Sequence, residues 1–203
     1  KPFVEKPVEA DDHSVYVYYP ERGVRQLFRK TKNQSSRFLP DATSVRSSGS
    51  YIYQKFHQPD GMVDIKVYAV AGKYIYAESR KAPTVDGRVE RTSEGLEVRN
   101  AITLTDTELI MCKRVARTFG QFIVGFDMLR TGSDSYIIDV NGWSFVKGYG
   151  EFAVIAGRML GDYIVERLAE RSARSERDRD DSATSELSAR EQVSSHPSRS
   201  RGP

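Results

Sequence analysis

Apolar and polar positions alternate along the first part of the chain and predict β-strands. The alternating runs are rich in β-branched and aromatic residues and lie at 14–19, 24–30, 50–57, 64–71 and 73–79. The pair Gly72-Lys73 stands between the last two runs, where a tight turn is expected to join two strands. Two later runs, 122–130 and 135–140, predict a further pair of strands.

Helical spacing begins after a long polar loop. Thr105 and Glu108 have the spacing of a capping box, and the residues after them repeat at helical intervals until Gly120. An amphipathic pattern also runs from about Glu151 to Arg171 and predicts a second helix. Strands followed by helices indicate an α+β fold with a largely antiparallel sheet and flanking helices.

The composition changes near the end of the chain. Residues 172–203 contain no aromatic side chain, and six arginines balance six acidic residues. Such a segment buries too little apolar surface to offset the entropy of ordering. We therefore expect one folded domain at 1–171 and a disordered tail rich in Ser, Arg and acidic residues at 172–203. Its Arg and Ser content also suggests RNA contact or phosphorylation, but the balanced charge favours a solvated tail.

Overall charge and composition exclude several classes of protein. The chain has 31 Lys and Arg against 28 Asp and Glu, a net charge of +3, which is too small for a protein that coats nucleic acid. The single cysteine, Cys112, excludes a disulfide framework and a cysteine-rich zinc site. No apolar run approaches the roughly 20 residues of a membrane span. Because the chain starts at Lys1 without a secretory signal, we expect a fragment of a longer cytosolic protein.

Hard oxygen ligands occur in two apolar strands. Asp127 lies in GFDML, while Asp139 and Asn141 lie two residues apart in IIDVNGWS, on one side of the predicted strand. Carboxylate and amide oxygens suit Mg²⁺, which takes few protein ligands and shares phosphate oxygens of a substrate. Acidic residues that cap turns at the ends of strands are the alternative.

Two lysines interrupt other apolar segments. Lys6 lies in FVEKPV and Lys66 in DIKVYAV. A buried ammonium needs an anionic partner, because burying an unpaired charge is costly. Nucleotide phosphates are one candidate partner for Lys66, and an internal ion pair with Asp64 is the other. The spacing alone favours neither.

Further basic residues lie in polar turns near predicted strand ends. They are His13, Arg29, Lys30, Arg80, Lys81, Arg91, Arg99 and Lys147. Scattered surface charges are usually only solvated. If these side chains converge on one cleft, they would bind a compact polyanion through charge-assisted hydrogen bonds. The modest net charge favours a small molecule over a polymer such as DNA.

An ordered series of motifs resembles a known family. The motifs are KPFVEKPVEADDHSVYVYYP, QLFRK, GSYIYQKF, DIKVYAV, AESRKAP, DGRVER, EVRN, GFDMLR and IIDVNGWSFVK. Together they resemble the ATP-grasp kinase domain of the diphosphoinositol pentakisphosphate kinases, which also phosphorylate inositol hexakisphosphate. The resemblance covers nearly all of residues 1–170 and implies the C-terminal portion of an ATP-grasp domain.

The resemblance implies a nucleotide and metal site. Lys6 and Lys66 correspond to lysines that bind ATP phosphates, Asp64 to a residue at the ribose, and Leu129 to the apolar side of the adenine pocket. The implied magnesium ligands are Asp127, Asp139 and Asn141.

The resemblance also implies an acceptor site and a catalytic arginine. The substrate-binding positions are His13, Arg29, Lys30, Arg80, Arg91, Ser144 and Lys147. Arg99 corresponds to an arginine that stabilises the transferring phosphoryl group, so Arg99 and Lys66 are the implied catalytic residues.

The chain departs from the family pattern at several points. Gln54-Lys55 stands where an acidic residue is usual, and Trp143 replaces a phenylalanine. The family also has an α/β region and the first part of the ATP-grasp module upstream, and a histidine-phosphatase-like domain downstream. We expect the upstream half-domain in the full-length protein, since parts of both binding sites lie there.

The implied reaction transfers the γ-phosphoryl group of ATP, with Mg²⁺, to a phosphate of inositol hexakisphosphate or diphosphoinositol pentakisphosphate. An acceptor phosphate is already anionic, so positioning and charge neutralisation matter more than a general base. Two other classes stay open: another ATP-grasp enzyme, namely a carboxylate–amine ligase, and a non-catalytic inositide-binding fragment. We expect no nucleic-acid partner and no activity from the isolated fragment.

Overall fold

The computed structural model describes residues 1–11, 13–147 and 149–194, with side chains described up to residue 179. The chain divides into two units, Lys1–Phe152 and a second unit that begins at Ala153. Among its described residues, the first unit contains two antiparallel sheets of five strands each, one complete α-helix and a short 3-10 helix. None of the helices in the described ranges is long and apolar enough to cross a membrane.

The first sheet is formed by the N-terminal segment. Its strands are β1 (Phe3–Pro7), β2 (Val15–Tyr19), β3 (Gly23–Thr31), β4 (Gln34–Leu39) and β5 (Tyr51–Lys55). They lie in the order β4-β3-β2-β1-β5, and every neighbouring pair is antiparallel. The connection from β4 to β5 therefore passes from one edge of the sheet to the other.

The second sheet follows a short 3-10 helix at Asp60–Met62. Its strands are β6 (Val63–Val70), β7 (Tyr74–Lys81), β8 (Asn100–Ala101), β9 (Ile123–Thr131) and β10 (Asp134–Asn141). Their order is β10-β9-β6-β7-β8, again antiparallel throughout. The central strands β6 and β9 are the most buried, which explains their long apolar runs.

Helix α1 (Asp106–Phe119) covers one side of the second sheet. Thr105 and Glu108 form the predicted capping box, and Gly120 ends the helix in the left-handed conformation, with φ of 60°. Cys112 and Ala116 of α1 pack into the core formed by every second residue of the central strands. The members of this core on the strands are Ile65, Val67, Ala69, Ala77, Val124, Phe126 and Met128.

Helix α2 spans Gly150–Ser194 and lies almost entirely in the second unit. The sequence predicts a helix at 151–171 and a disordered tail from Ser172, whereas α2 continues through residues 172–194. The Ala, Arg and Glu content of this stretch is compatible with helical backbone, since these residues have high helix propensity. The remaining predicted tail, 195–203, lies outside the described residues.

The predicted α+β class is confirmed, with differences in detail. The chain forms two sheets rather than one, and β1, β4 and β8 are not among the predicted strands. The QSSRFL segment of β4 is mostly polar, and β8 has only two residues. The β6–β7 turn is centred on Ala71 and Gly72, one position earlier than predicted, and both residues have positive φ. This geometry is that of a type I′ turn, which matches the twist of a hairpin.

Candidate active site

The second sheet has a polar face, opposite the side covered by α1. Because side chains alternate along a strand, the residues between the core positions project to this face. Lys66, Asp127 and Asp139 lie directly opposite one another on the adjacent strands β6, β9 and β10. The polar face is defined here by Asp64, Lys66, Tyr68, Glu78, Arg80, Asp127, Asp139 and Asn141.

Ion pairs organise the centre of the polar face. The Lys66 Nζ donates to Asp127 Oδ1 at 2.8 Å, and Arg80 lies 3.9 Å from Asp127 Oδ2. Asp64 faces Arg80 instead of Lys66, with 3.8 Å between the charged groups. The internal partner of Lys66 is therefore Asp127, not the Asp64 that the sequence suggested as the alternative to a nucleotide.

Burial changes the ionisation of Asp64. The residue is 8% exposed, and burial raises the pKa of its carboxyl group to about 6, although the nearby Arg80 acts in the opposite direction. The Arg80 Nε is buried and has no hydrogen-bond partner among the described residues. An unsatisfied guanidinium donor beside the acidic centre is suited to receive an anionic ligand.

Lys6 connects the two sheets at this site. Its Nζ donates to the carbonyl oxygen of Ile138, which lies at a break in the β9–β10 register between Ile137 and Asp139. A β-bulge leaves such a carbonyl free of the ladder. Burial lowers the pKa of Lys6, while Asp139 and Asp127 raise it. Lys6 thus brings a cation from β1 to the acidic pair.

The predicted magnesium ligands come together on neighbouring strands. Asp127 and Asp139 are paired across β9 and β10, and Asn141 Nδ2 donates to Asp139 Oδ2 at 3.2 Å. The contact orients the amide and leaves its carbonyl oxygen as an acceptor. Both aspartates lie inside their strands, so the idea that they end the strands and cap turns is wrong.

The donor set fits Mg²⁺ better than a metal that needs many protein ligands. Across the ranges that the structure describes, no group of three or more His, Cys, Asp or Glu side chains is placed to hold a metal ion. Two carboxylates with one amide oxygen form a sparse set, typical of Mg²⁺ sites completed by water and substrate phosphates.

Leu129 lies at the apolar end of the polar face. It is 8% exposed and pairs across the sheet with Tyr136 of β10. The Tyr136 ring packs against His57 at a tilt of 30°, with 4.1 Å between the ring centroids. Leu129 and these rings form an apolar and aromatic wall next to the ion pairs, where the predicted adenine pocket would lie.

Arg99 and Lys30 approach the polar face from outside the second sheet. Both contact Glu97, and Arg99 also contacts Glu78. Burial lowers the pKa of Lys30, and the neighbouring Glu97 raises it. Burial would also lower the pKa of Arg99, but its contacts with Glu78 and Glu97 raise it instead. Two of the predicted phosphate-binding cations are therefore held by one carboxylate.

Other predicted substrate residues lie on exposed segments. Arg29 donates from Nε to the carbonyl oxygen of Asp11 at 3.1 Å. Arg91 contacts Asn33 and donates to the carbonyl oxygen of Gly95 at 2.7 Å. His13 and Lys147 are also exposed. The structure thus gathers Lys30, Arg80 and Arg99 near the ion pairs of the polar face. It does not place the side chains of Arg29, Arg91, His13 and Lys147 in contact with those ion pairs.

Ser144 is held close to β9 because residue 125 is glycine. A Cβ at Gly125 would lie 2.5 Å from Ser144 Cβ and 2.8 Å from its Oγ. The Ser144 hydroxyl donates to the carbonyl oxygen of Gly142 at 3.2 Å. The glycine of GFDML therefore allows the segment after β10 to approach the sheet.

We expect Gly125→Ala to displace Ser144 and, in the full-length protein, to lower the phosphoryl transfer implied by the family resemblance about tenfold, because small misplacements at a reacting site are costly. Gly142→Ala is the matched control, since its added Cβ would meet only Gln121 Oε1 at 3.9 Å. Steady-state assays of both variants test this. Equal activity of the two variants would show that the contact with Ser144 does not matter.

Sequence reasoning missed the carboxylates that hold Arg99. Glu78 is 3% exposed and lies in the strand run KYIYAES, and Glu97 precedes the EVR arginine by two residues. An acidic residue within an aromatic strand needs a partner for the same reason as a lysine does. That argument was available for Glu78 from the sequence, whereas Glu97 gave no such signal.

Comparisons with solved structures give only weak likenesses. An ATP-grasp ligase bound to a precursor peptide and AMPPNP has a TM-score of 0.49 and 16% identity, covering 79% of this chain and 46% of that chain. D-alanine–D-alanine ligase from Bacillus anthracis has a TM-score of 0.43 and 14% identity, covering 82% of this chain and 54% of that chain. No protein-family model matches the sequence.

Sequence comparison gives much stronger similarity. A protein from Caenorhabditis elegans named inositol hexakisphosphate and diphosphoinositol-pentakisphosphate kinase is 48% identical over 172 residues, which is 83% of this chain and 13% of that protein. Kinase 1 of the same name from Rattus norvegicus is 48% identical over 172 residues, 83% of this chain and 12% of that protein. The Saccharomyces cerevisiae protein is 48% identical over 150 residues, 72% of this chain and 13% of that protein.

The chain spans about an eighth of the length of these relatives. Over the matched residues the identity is 48% with both the nematode and the yeast protein. The chain therefore belongs to the family of inositol hexakisphosphate and diphosphoinositol-pentakisphosphate kinases, of which it matches one segment.

Proposed function

We propose that the full-length protein is a kinase that transfers the γ-phosphoryl group of ATP to a phosphate of inositol hexakisphosphate or diphosphoinositol pentakisphosphate. The observation that supports this most is the alignment of Lys66, Asp127 and Asp139 across three strands, with Arg80 and Lys6 beside them. Alternating acids and cations suit a site that binds metal and phosphate together.

The donor side of the proposed site lies on the polar face. Lys6 and Lys66 would contact phosphates of ATP, Asp64 would accept a hydrogen bond from the ribose, and Leu129 would line the adenine pocket. Mg²⁺ held by Asp127, Asp139 and Asn141 would neutralise charge on the transferring group. Lys66 contacts Asp127, and Lys6 is close enough to Asp139 and Asp127 for their charges to raise its pKa, so both lysines lie beside the proposed metal ligands.

The acceptor side is formed by the basic residues around the polar face. Lys30, Arg80 and Arg91 would bind ring phosphates with Ser144, and His13, Arg29 and Lys147 would add contacts from exposed segments. Arg99 would stabilise the transferring phosphoryl group. Several fixed cations reduce the repulsion between two polyanions, which is the main obstacle to this reaction.

Ligand-dependent thermal stability discriminates the proposal from the two alternatives. We expect inositol hexakisphosphate, and separately ATP with Mg²⁺, to raise the melting temperature of the full-length protein, while amino acids do not. An increase with amino acids and ATP would indicate a carboxylate–amine ligase. An increase with inositol hexakisphosphate but not with ATP and Mg²⁺ would indicate an inositide-binding protein without kinase activity.

Arg29→Ala is expected to weaken binding of inositol hexakisphosphate about tenfold, since a charge-assisted phosphate contact is lost. ATP affinity should stay unchanged. Arg29 lies near the end of β3 and contacts Asp11, whereas the proposed ATP-binding Lys66 contacts Asp127 in the second sheet. Isothermal titration with each ligand measures both affinities. Arg22→Ala, at an exposed turn between β2 and β3, serves as the control. An equal loss of both affinities in Arg29→Ala would assign this residue a structural role.

Two expectations from the sequence remain predictions. We expect the 203-residue chain to be inactive by itself, because the implied upstream half-domain supplies part of both sites. A phosphate-transfer assay of the chain beside the full-length protein tests this.

We also expect the protein to act in the cytosol, which fluorescence microscopy of the tagged full-length protein tests.

A further inference from the structure

A series of alternating charges runs along the edge of the polar face next to Arg99. Lys30 contacts Glu97, and Arg99 donates to Glu97 Oε2 from Nε at 3.2 Å and from Nη2 at 2.8 Å. From Nη1, Arg99 also contacts Glu78 and donates to the Tyr68 hydroxyl at 3.3 Å. The Tyr68 hydroxyl donates to the same Glu78 oxygen at 3.1 Å.

Glu78 is the more buried of the two carboxylates in this series. Its side chain is 4% exposed, whereas the Glu97 side chain is 17% exposed. A buried carboxylate is costly without a partner, and one beside a site for polyanions also opposes ligand binding by its charge. We therefore relate the presence of Glu78 to its effect on the orientation of the Arg99 guanidinium.

Glu78 is fixed in the sheet and Arg99 is not. Glu78 lies within β7, between β6 and β8, while Arg99 follows the long loop that leads into β8. A free arginine side chain samples many rotamers and loses rotamer entropy when it is ordered. Contacts at Nε, Nη1 and Nη2 restrict the guanidinium to one orientation before any ligand binds.

The burial of the Tyr68 hydroxyl supports the same arrangement. Burial, together with the adjacent Glu78, raises the pKa of Tyr68 to about 12. The hydroxyl therefore stays protonated near neutral pH and continues to donate to the carboxylate. Tyr68 lies on the central strand β6, two residues from Lys66, so it ties the Arg99 group to the strand that holds the nucleotide lysine.

We propose that Glu78 is a positioning residue for phosphoryl transfer and that, with the Tyr68 hydroxyl, it holds the Arg99 guanidinium in the orientation needed at the transferring phosphoryl group. This inference rests on the proposed function, since it requires Arg99 to act on that group. Glu78 itself touches neither ATP nor the inositol phosphate.

Glu78→Gln keeps the shape of the side chain and removes its charge. In the full-length protein we expect kcat to fall about tenfold or more, because a stabilising group loses its fixed orientation. The KM values for ATP and inositol hexakisphosphate should stay within about threefold, since ground-state contacts are retained. Tyr68→Phe, which keeps the Glu78–Arg99 ion pair, should lower kcat by a smaller factor of about three. This variant tests the proposal if Glu78→Gln folds poorly.

Glu108→Gln is a matched control. Glu108 is also 3% exposed and also contacts an arginine and a hydroxyl, Arg130 and Ser135, but at the start of α1. The control should lower the melting temperature without changing kcat per folded molecule. If Glu78→Gln and Tyr68→Phe behave like this control, Glu78 is only structural and the proposal is wrong.

A second readout does not depend on activity. The Nη1–H signals of Arg99, which belong to the donor that contacts Glu78, should be protected from exchange in a nitrogen-15 NMR spectrum of the wild-type protein and lost or broadened in Glu78→Gln. An unchanged signal would contradict the positioning role. If the wild-type protein transfers no phosphate, the proposed function fails, and this signal still decides whether Glu78 orients Arg99.

Discussion

Asp139→Ala is expected to abolish kinase activity in the full-length protein, with kcat falling by about three orders of magnitude or more. Asp139 pairs with Asp127 across β9 and β10, and the amide of Asn141 is oriented against it. Removing one of two carboxylates leaves the proposed metal site with a single acidic ligand. It also removes an acidic neighbour that raises the pKa of the partly buried Lys6.

Steady-state phosphoryl transfer measured over a range of Mg²⁺ concentrations tests this expectation. Asp134→Ala, at the exposed start of the same strand, is the control and should retain activity. Near-normal turnover in Asp139→Ala would mean that the metal site is elsewhere. Recovery of activity at high Mg²⁺ concentration would limit the role of Asp139 to metal affinity.

Glu108→Gln is expected to lower the free energy of unfolding by about 2 kcal/mol, since a buried carboxylate loses its charge-assisted hydrogen bonds while the partner Arg130 side chain is 35% exposed to solvent. Glu108 receives hydrogen bonds from Arg130 and Ser135 at 2.7 Å each, and the backbone N–H of Thr105 donates to it at 2.8 Å. This carboxylate thereby joins the first turn of α1 to β9 and β10. Chemical denaturation at neutral pH measures the loss.

The same carboxylate predicts a dependence of stability on pH. The contact with Arg130 lowers the pKa of Glu108 from 4.5 to about 2. Because the pKa is lower in the folded state, the stabilisation is fully present above pH of about 4.5 and is lost as the pH falls toward about 2. The difference in unfolding free energy between wild type and Glu108→Gln should therefore shrink over this range. A constant difference would contradict the assignment.

An exposed ion pair provides the comparison. Arg167 and Glu170 are within 2.6 Å on α2, but both side chains are more than half exposed, at 62% and 56%. Glu170→Gln should therefore change stability by less than about 0.5 kcal/mol. A loss as large as that of Glu108→Gln would show that burial is not what distinguishes the two pairs.

Local patterns predicted the elements with strong internal signals. The capping box of Thr105 and Glu108 and the stop at Gly120 defined α1 correctly, because these signals depend on residues close in sequence. The spacing of Asp139 and Asn141 also placed both residues on one side of β10, since side chains alternate on any strand. The family resemblance then related these positions to magnesium, which the pattern alone did not require.

Long-range pairings could not be read from the sequence. The contact of Lys6 with the carbonyl of Ile138 depends on a bulge in β10 and joins residues 132 positions apart. The choice of Asp127 over Asp64 as the partner of Lys66 depends on how β6 and β9 are paired. Glu97 gave no signal because its position between Lys30 and Arg99 is created by a loop, whose course a residue pattern does not fix.

The most direct test of the central claim follows one phosphoryl group. Full-length protein is incubated with Mg²⁺, inositol hexakisphosphate and ATP labelled at the γ-phosphate, and the products are separated and examined by phosphorus-31 NMR. The account predicts that the label enters the inositol phosphate as a new diphosphate and that ADP forms in equal amount. Folded protein that binds both substrates, yet leaves the label in ATP or transfers it to a carboxylate, would contradict the account.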